Sequence, residues 1–86
     1  MRWLRIMNTQ LPDHMRELDS RIGDGIHVRL LWSRQDDRVA VAVDDARTGD
    51  AFTVEVREGE RALDVFHHPY AYAALRGIET RALVAV

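Results

Sequence analysis

Apolar residues recur at every second position in three separate runs of the chain, which is the period of a β-strand with one buried face. The runs are residues 26–33, residues 39–43 and residues 51–57. Turn-forming clusters separate them, at Gln35–Arg38 and at Ala46–Gly49. Because short consecutive strands joined by tight turns pair with their neighbours, the pattern predicts a three-stranded antiparallel β-meander.

The register of this meander follows from keeping all the large apolar side chains on one face. A two-residue turn at Asp36 and Asp37 and a four-residue loop at residues 46–49 satisfy that requirement. This face should form the core. The predicted cross-strand pairs are Trp32 with Val41, Leu30 with Val43, Val43 with Phe52, and Val41 with Val54.

Helical spacing precedes the predicted strands. Four apolar residues follow one another at steps of four, three and four, which predicts an amphipathic helix over residues 11–22. Pro12 suits the first turn of such a helix, and the glycines of the segment Gly23–Gly25 would end it. The four residues are Leu11, Met15, Leu18 and Ile22.

A second helical stripe, formed by Leu63, Phe66 and Tyr70, predicts a C-terminal helix that packs on the apolar face of the sheet. Pro69 has no backbone N–H, so this helix either kinks there or ends near residue 67 before a second helix begins at the proline. Gly77 is the expected end of the helical region. The apolar tail Leu83–Val86 is a candidate terminal strand.

The elements together predict an α+β fold. It consists of an N-terminal helix, a three-stranded antiparallel β-meander, a C-terminal helix kinked or broken at a proline, and a candidate terminal strand. A chain of 86 residues has material for one core. We assign residues 11–86 to a single domain and residues 1–10 to a candidate disordered arm. From this fold we expect Trp32, Val41, Val54 and Phe66 to be buried.

Composition and charge narrow the function classes. With 12 basic and 14 acidic residues the net charge is −2, so the chain lacks the overall positive charge typical of nucleic-acid-binding proteins. It has no cysteine, which excludes disulfides, thiolate nucleophiles and cysteine-ligated metals. Neither a signal-peptide pattern nor an apolar run of membrane-spanning length is present, so we expect a soluble, cytoplasmic protein without membrane association.

Residues that could carry catalysis or bind a metal are present, but their spacing is unfavourable. His67 and His68 are adjacent, whereas two metal ligands on a helix usually stand four residues apart. Neither Ser20 nor Ser33 lies in a nucleophile motif, and the paired aspartates fall in or beside turns, where Asp bonds the local backbone. We predict a protein that is not an enzyme and has no cofactor, and we leave metal binding by the two histidines open.

The face of the sheet opposite the core is small and weakly polar at its centre. Leu31, Ala40, Ala42 and Thr53 lie there, where a solvated sheet usually carries larger polar side chains. Small residues let a partner approach closely, so we predict a protein-interaction surface, used for self-association as a homodimer or for another protein. A simpler explanation of equal weight is that alanine is common throughout this chain.

A nucleic-acid-binding regulator is the alternative function. Sheet faces can contact DNA, and Arg29 and Arg57 lie on the outer face of the predicted sheet. Asp44 and Glu55 lie on the same face, and together with the negative net charge they make nucleic acid the less favoured partner.

Two segments carry a resemblance to other proteins. Residues 24–32, DGIHVRLLW, and residues 62–73, ALDVFHHPYAYA, resemble a pattern of small uncharacterised proteins of high-GC actinobacteria. That resemblance covers about residues 18–74 and implies a soluble bacterial protein, with no activity or site residues attached. A looser similarity, of Ile22–Asp24 followed by two alternating strands, is to RelE/ParE-type ribonuclease toxins. Those toxins are typically basic and lack the third strand, so a toxin-like ribonuclease is the second alternative.

Overall fold

The computed structural model describes residues 14–78, which form four β-strands followed by two short helices. The strands make one antiparallel sheet in which spatial order follows chain order. The α+β class and the meander are therefore confirmed, with one strand more than predicted. The elements are β1 (Met15–Gly23), β2 (Ile26–Ser33), β3 (Arg38–Asp45), β4 (Asp50–Glu55), α1 (Ala62–His67) and α2 (Pro69–Leu75).

The core lies between the two helices and one face of the sheet. Burial of apolar side chains in this core is the main contribution to stability, because it removes their surface from water. Trp32 is half-buried, so the prediction that it belongs to the buried core is wrong. Its Nε1 donates a hydrogen bond to Oδ1 of Asp37 at 2.7 Å. The buried apolar residues of the core are Val28, Leu30, Val41, Val43, Val54, Val65, Phe66 and Ala73.

The predicted helix over residues 11–22 is wrong, because residues 15–23 form β1. Asp24 and Gly25 both have positive φ, 52° and 80°, as the central residues of a type I′ turn require. This two-residue turn lays the preceding segment along the free edge of β2, where backbone N–H and C=O groups need partners. Leu18 and Ile22 are 56% and 76% exposed, so their helix-like spacing buries little apolar surface.

The register between β3 and β4 is confirmed, whereas the register between β2 and β3 differs from the prediction by two residues. The loop between β2 and β3 contains four residues, 34–37, and Asp37 in this loop has a φ of 54°. Since side chains alternate with a period of two, a shift of two leaves each one on its predicted face. The observed pairs are Val43 with Phe52, Val41 with Val54, Leu30 with Val41, and Trp32 with Val39.

The helical region is broken into two helices at Pro69, which is one of the two predicted outcomes, and is not a single kinked helix. His68 has φ −132° and ψ 52°, outside the helical range, and Pro69 begins α2. Gly77, with φ 71°, ends the region as expected: its N–H donates to the carbonyl of Ala74, and the N–H of Ile78 donates to that of Ala73. These two hydrogen bonds form a Schellman motif, which satisfies carbonyls at the end of the helix.

The side chains of α1 do not all follow the predicted stripe. Phe66 is buried as expected, but Leu63 is 56% exposed and Val65 takes its place in the core. The reason is the break at residue 68: α1 has only six residues, so it does not continue into α2 as one straight helix. The two remaining predictions, an arm over residues 1–10 and a strand at Leu83–Val86, lie outside the described residues.

Candidate functional site on the outer face of the sheet

The structure brings the four predicted interaction residues together on the face of the sheet that the two helices do not cover. Leu31 pairs with Ala40 across β2 and β3, and Ala42 pairs with Thr53 across β3 and β4. Ala40 and Ala42 are alternate residues of β3, so these two pairs stand in adjacent rows. We call this surface, the side of the sheet opposite the core, the outer face.

The four residues differ in how much surface they offer. Leu31 is only 7% exposed, so it contributes little area to any contact and acts as part of the folded structure. Ala40 and Ala42 are half-buried, and Thr53 is exposed. The accessible centre of the outer face is therefore a strip of three methyl groups and a hydroxyl, which a partner could approach closely.

β1 adds a fourth strand to the outer face, which the sequence analysis missed. Ser20 pairs with Arg29, and Ile22 pairs with His27, so both β1 residues lie on this face. Ile22 is its most exposed large apolar side chain among the described residues, at 76%. The signal that could have found this strand is the Asp-Gly dipeptide at residues 24 and 25, which strongly favours a two-residue hairpin turn.

Charged residues of both signs surround this apolar strip. Arg29, whose side chain is 16% exposed, has its Nη2 3.8 Å from Oδ2 of Asp44. Its Nε is buried without a hydrogen-bond partner among residues 14–78. Arg38 at the far end of the strip forms an ion pair of 2.8 Å with Glu55. The outer face is thus electrically mixed and carries no continuous positive patch.

The two residues of the nucleic-acid alternative are not equivalent. Arg29 is already held beside a carboxylate, which reduces the positive charge it can offer to a phosphate. Arg57 follows β4, is exposed, and its backbone N–H donates to Oε1 of Glu60 at 2.8 Å. Of these two arginines, only Arg57 forms no ion pair within the described part of the chain.

A buried carboxylate on the helix-covered side ties the loop after β3 to α2. Asp45 has no exposed side-chain surface; it accepts hydrogen bonds from Nε and Nη2 of Arg47, at 3.2 and 3.1 Å, and from the hydroxyl of Tyr70 at 2.6 Å. The Arg47 guanidinium and then the Tyr70 hydroxyl hold the pKa of Asp45 well below its usual range. Burial, followed by the bond to Asp45, raises the pKa of Tyr70 to about 12.

The Asp45, Arg47 and Tyr70 cluster stabilises the fold and is poorly suited to proton transfer. An Asp that stays ionised and a Tyr that stays protonated near neutral pH do not exchange a proton there. His67 and His68 are both exposed, and within residues 14–78 no three side chains of the metal-ligating types come together as a metal site would require.

The comparisons with known proteins add no further constraint. No protein-family model, curated protein or solved structure matches the chain. None of the helices in the described residues combines the length and the apolar character needed to cross a membrane.

Proposed function

We propose that this protein is a non-catalytic interaction module that forms a homodimer through the outer face of its sheet. The observation that supports this is the composition of the face: half-buried alanines at its centre, exposed Ile22 at its side, and no described helix over it. Apolar sheet faces are normally packed against a second layer, because removing apolar surface from water lowers the free energy.

A second copy of the chain is the occupant that the charges favour. Arg29 and Arg38 share the outer face with Glu17, Asp44 and Glu55, so arginines of one copy can lie opposite carboxylates of the other.

The size of the face sets the expected strength of the dimer. The central strands β2 and β3 have eight residues each, which gives a length of about 26 Å, and four strands side by side give a width of about 19 Å. The projected area of the face is therefore about 500 Å² for each copy. Two such areas fall at the lower end of specific interfaces. We therefore expect a dimer that dissociates on dilution, and not an obligate one.

Sedimentation velocity across a dilution series tests the proposal. We expect the wild-type mass to change between dimer and monomer, and Ala42→Arg to be a monomer throughout because it places a long charged side chain at the centre of the face. The matched control is Ala74→Arg, the same substitution at an exposed position of α2, which should behave as wild type. Circular dichroism checks that both variants fold, and Thr53→Arg, at an exposed position, replaces Ala42→Arg if the latter does not fold.

Two results would overturn the proposal. One is a wild-type protein that is monomeric at every concentration, and the other is equal dimerisation of the Ala42→Arg and Ala74→Arg variants. Retention on a DNA column that weakens steeply with salt, and that Arg57→Gln abolishes, would instead support the nucleic-acid alternative.

A further inference from the structure

A pocket of about 300 Å³ opens on the helix-covered side, between the β1–β2 hairpin and the break between α1 and α2. Its apolar lining includes Ile26 and Val28 of β2 and Pro69 at the start of α2. Arg21 of β1 and the adjacent His67 and His68 supply the polar part of the wall. The volume lies at the lower limit of small-molecule sites, so it would accommodate one ring or a short chain.

Arg21 is held in place by the backbone of α1. Its Nη2 donates to the carbonyl of Phe66 at 2.9 Å and lies 3.4 Å from the carbonyl of His67. Its guanidinium carbon also stands 5.4 Å from the centroid of the Phe66 ring. Carbonyls at the C-terminal end of a helix carry partial negative charge, so these contacts fix the arginine without neutralising it.

The remaining donors of Arg21 have no partner among residues 14–78. A guanidinium has five N–H groups, and both hydrogen bonds here involve Nη2, which leaves the donors on Nε and Nη1. In contrast, Arg29, Arg38, Arg47 and Arg76 each form an ion pair with a carboxylate. Arg21 is thus an ordered cation, placed in the wall of a largely apolar pocket, with hydrogen-bonding capacity to spare.

Two carboxylates on the helix-covered side, Asp19 and Asp45, do not serve as the counterion of Arg21. Asp19 precedes Arg21 on the same side of β1, but its Oδ1 accepts the N–H of Ser20 at 2.8 Å, and no ion pair joins it to Arg21. Asp45, whose partner Tyr70 lines the pocket, is already paired with Arg47. Among residues 14–78, therefore, no carboxylate is paired with Arg21 in the pocket.

From these observations we infer that the pocket binds a small apolar monocarboxylate, with the carboxylate on Arg21 and the apolar body against Ile26 and Pro69. The free donors on Nε and Nη1 lie on different edges of the guanidinium, so a carboxylate accepts a charge-assisted hydrogen bond from one of them, whereas a phosphate carries more charge than one arginine balances. The exposed imidazoles of His67 and His68 stand at the same wall and can each offer one N–H donor.

NMR titration of the ¹⁵N-labelled protein with 3-phenylpropionate tests this inference. Ala71 of α2 also lines the pocket. We expect saturable shifts of the Arg21, His68 and Ala71 signals, with a Kd of about 1 mM for a ligand of this size. The isosteric amide, 3-phenylpropionamide, should bind about tenfold more weakly, because it lacks the charge-assisted hydrogen bond to Arg21. Inorganic phosphate, which has charge but no apolar body, should leave these signals unmoved.

Arg21→Gln is the decisive variant, and Arg16→Gln, also on β1 but outside the pocket lining, is its matched control. Arg21→Gln should abolish the preference for the acid over the amide, and Arg16→Gln should retain it. If Arg21→Gln does not fold, nuclear Overhauser contacts between the phenyl ring and the methyls of Ile26 and Ala71 locate the probe in the wild-type protein.

Four results would overturn the inference, and the first three concern affinities. They are equal affinity for the acid and the amide, an acid preference that survives in Arg21→Gln, and phosphate binding at the same signals with similar affinity. Shifts confined to residues outside the pocket would do the same. None of these results bears on the homodimer, because the outer face and the pocket lie on opposite sides of the sheet.

Discussion

The hairpin turn between β1 and β2 can be tested by comparing its glycine, Gly25, with Gly49 in the loop between β3 and β4. Both have a φ of +80°, a conformation that costs a residue with a Cβ about 1–2 kcal/mol. They differ in their surroundings. A Cβ on Gly49 would meet nothing within 4 Å, whereas a Cβ on Gly25 would lie 3.0 Å from Cγ of Arg47, too close for the arginine to keep its position.

The difference between Gly25→Ala and Gly49→Ala therefore isolates one contact. Gly49→Ala should lower the free energy of unfolding by about 1–2 kcal/mol through the backbone alone. Gly25→Ala adds the cost of displacing the Arg47 side chain, which is bonded to Asp45, by a few tenths of an ångström, about 0.5 kcal/mol. Loss of unfolded-state entropy offsets part of each value, but equally in both variants, so it cancels in the difference.

Urea denaturation of the two variants and the wild type measures this difference, with the free energy of unfolding taken from the midpoint and slope of each curve. We expect Gly25→Ala to be the less stable of the two. Equal midpoints, or a lower midpoint for Gly49→Ala, would show that the β1–β2 turn does not approach Arg47 and would refute the hairpin geometry described here.

Three further predictions concern the core and the buried carboxylate. Folding lowers the pKa of Asp45, so its ionised form stabilises the protein at pH values above the ordinary Asp pKa of about 3.9. This stabilisation is lost as the pH falls through the lowered pKa of the folded state. Asp45→Asn should therefore flatten the acid side of a plot of Tm against pH, and Asp24→Asn should not. The pKa of Tyr70 is raised to about 12, so its protonated form stabilises the fold below pH ~10 and this is lost as pH rises through 12; Tyr70→Phe should reduce that alkaline loss in thermal melts. Val65→Ala should cost about 1.5–3 kcal/mol in urea denaturation, whereas Leu63→Ala should change stability by less than about 0.5 kcal/mol; the reverse order would contradict the orientation of α1.

The strands β2 to β4 could be predicted from the sequence because each of them buries one face. Burial forces large side chains onto alternate positions, so the pattern carries the information. The exact β2–β3 register could not be predicted, since pairing Leu30 with Val41 or with Val43 keeps the same face inside. The four-residue loop, with Asp37 at positive φ and bonded to Trp32, decides between them in the structure.

The error at β1 has a different origin. This strand lies at the edge of the sheet and is exposed over nearly its whole length, so burial does not select its periodicity. The spacing of Leu18 and Ile22 is compatible with a helix, and the Asp-Gly turn is the stronger signal. The same error hid the position of Arg21, because a residue assigned to a helix is not expected to stand beside α1. The predicted surface residues Ala40, Ala42 and Thr53 were unaffected, since the β3–β4 register was predicted correctly.

The chain order of the sheet also has a consequence for synthesis on the ribosome. Each strand pairs with its sequence neighbour, so the hairpins can close one after another as the chain emerges, with little loop-closure entropy to overcome. The helices that seal the apolar side come last. At a translation rate of about 5–20 residues per second, the chain between Glu55 and Ala73 takes about 1–4 s to be made, during which the valines of the finished sheet stay uncovered. For that interval the nascent meander exposes apolar surface of the kind that aggregates or is bound by chaperones.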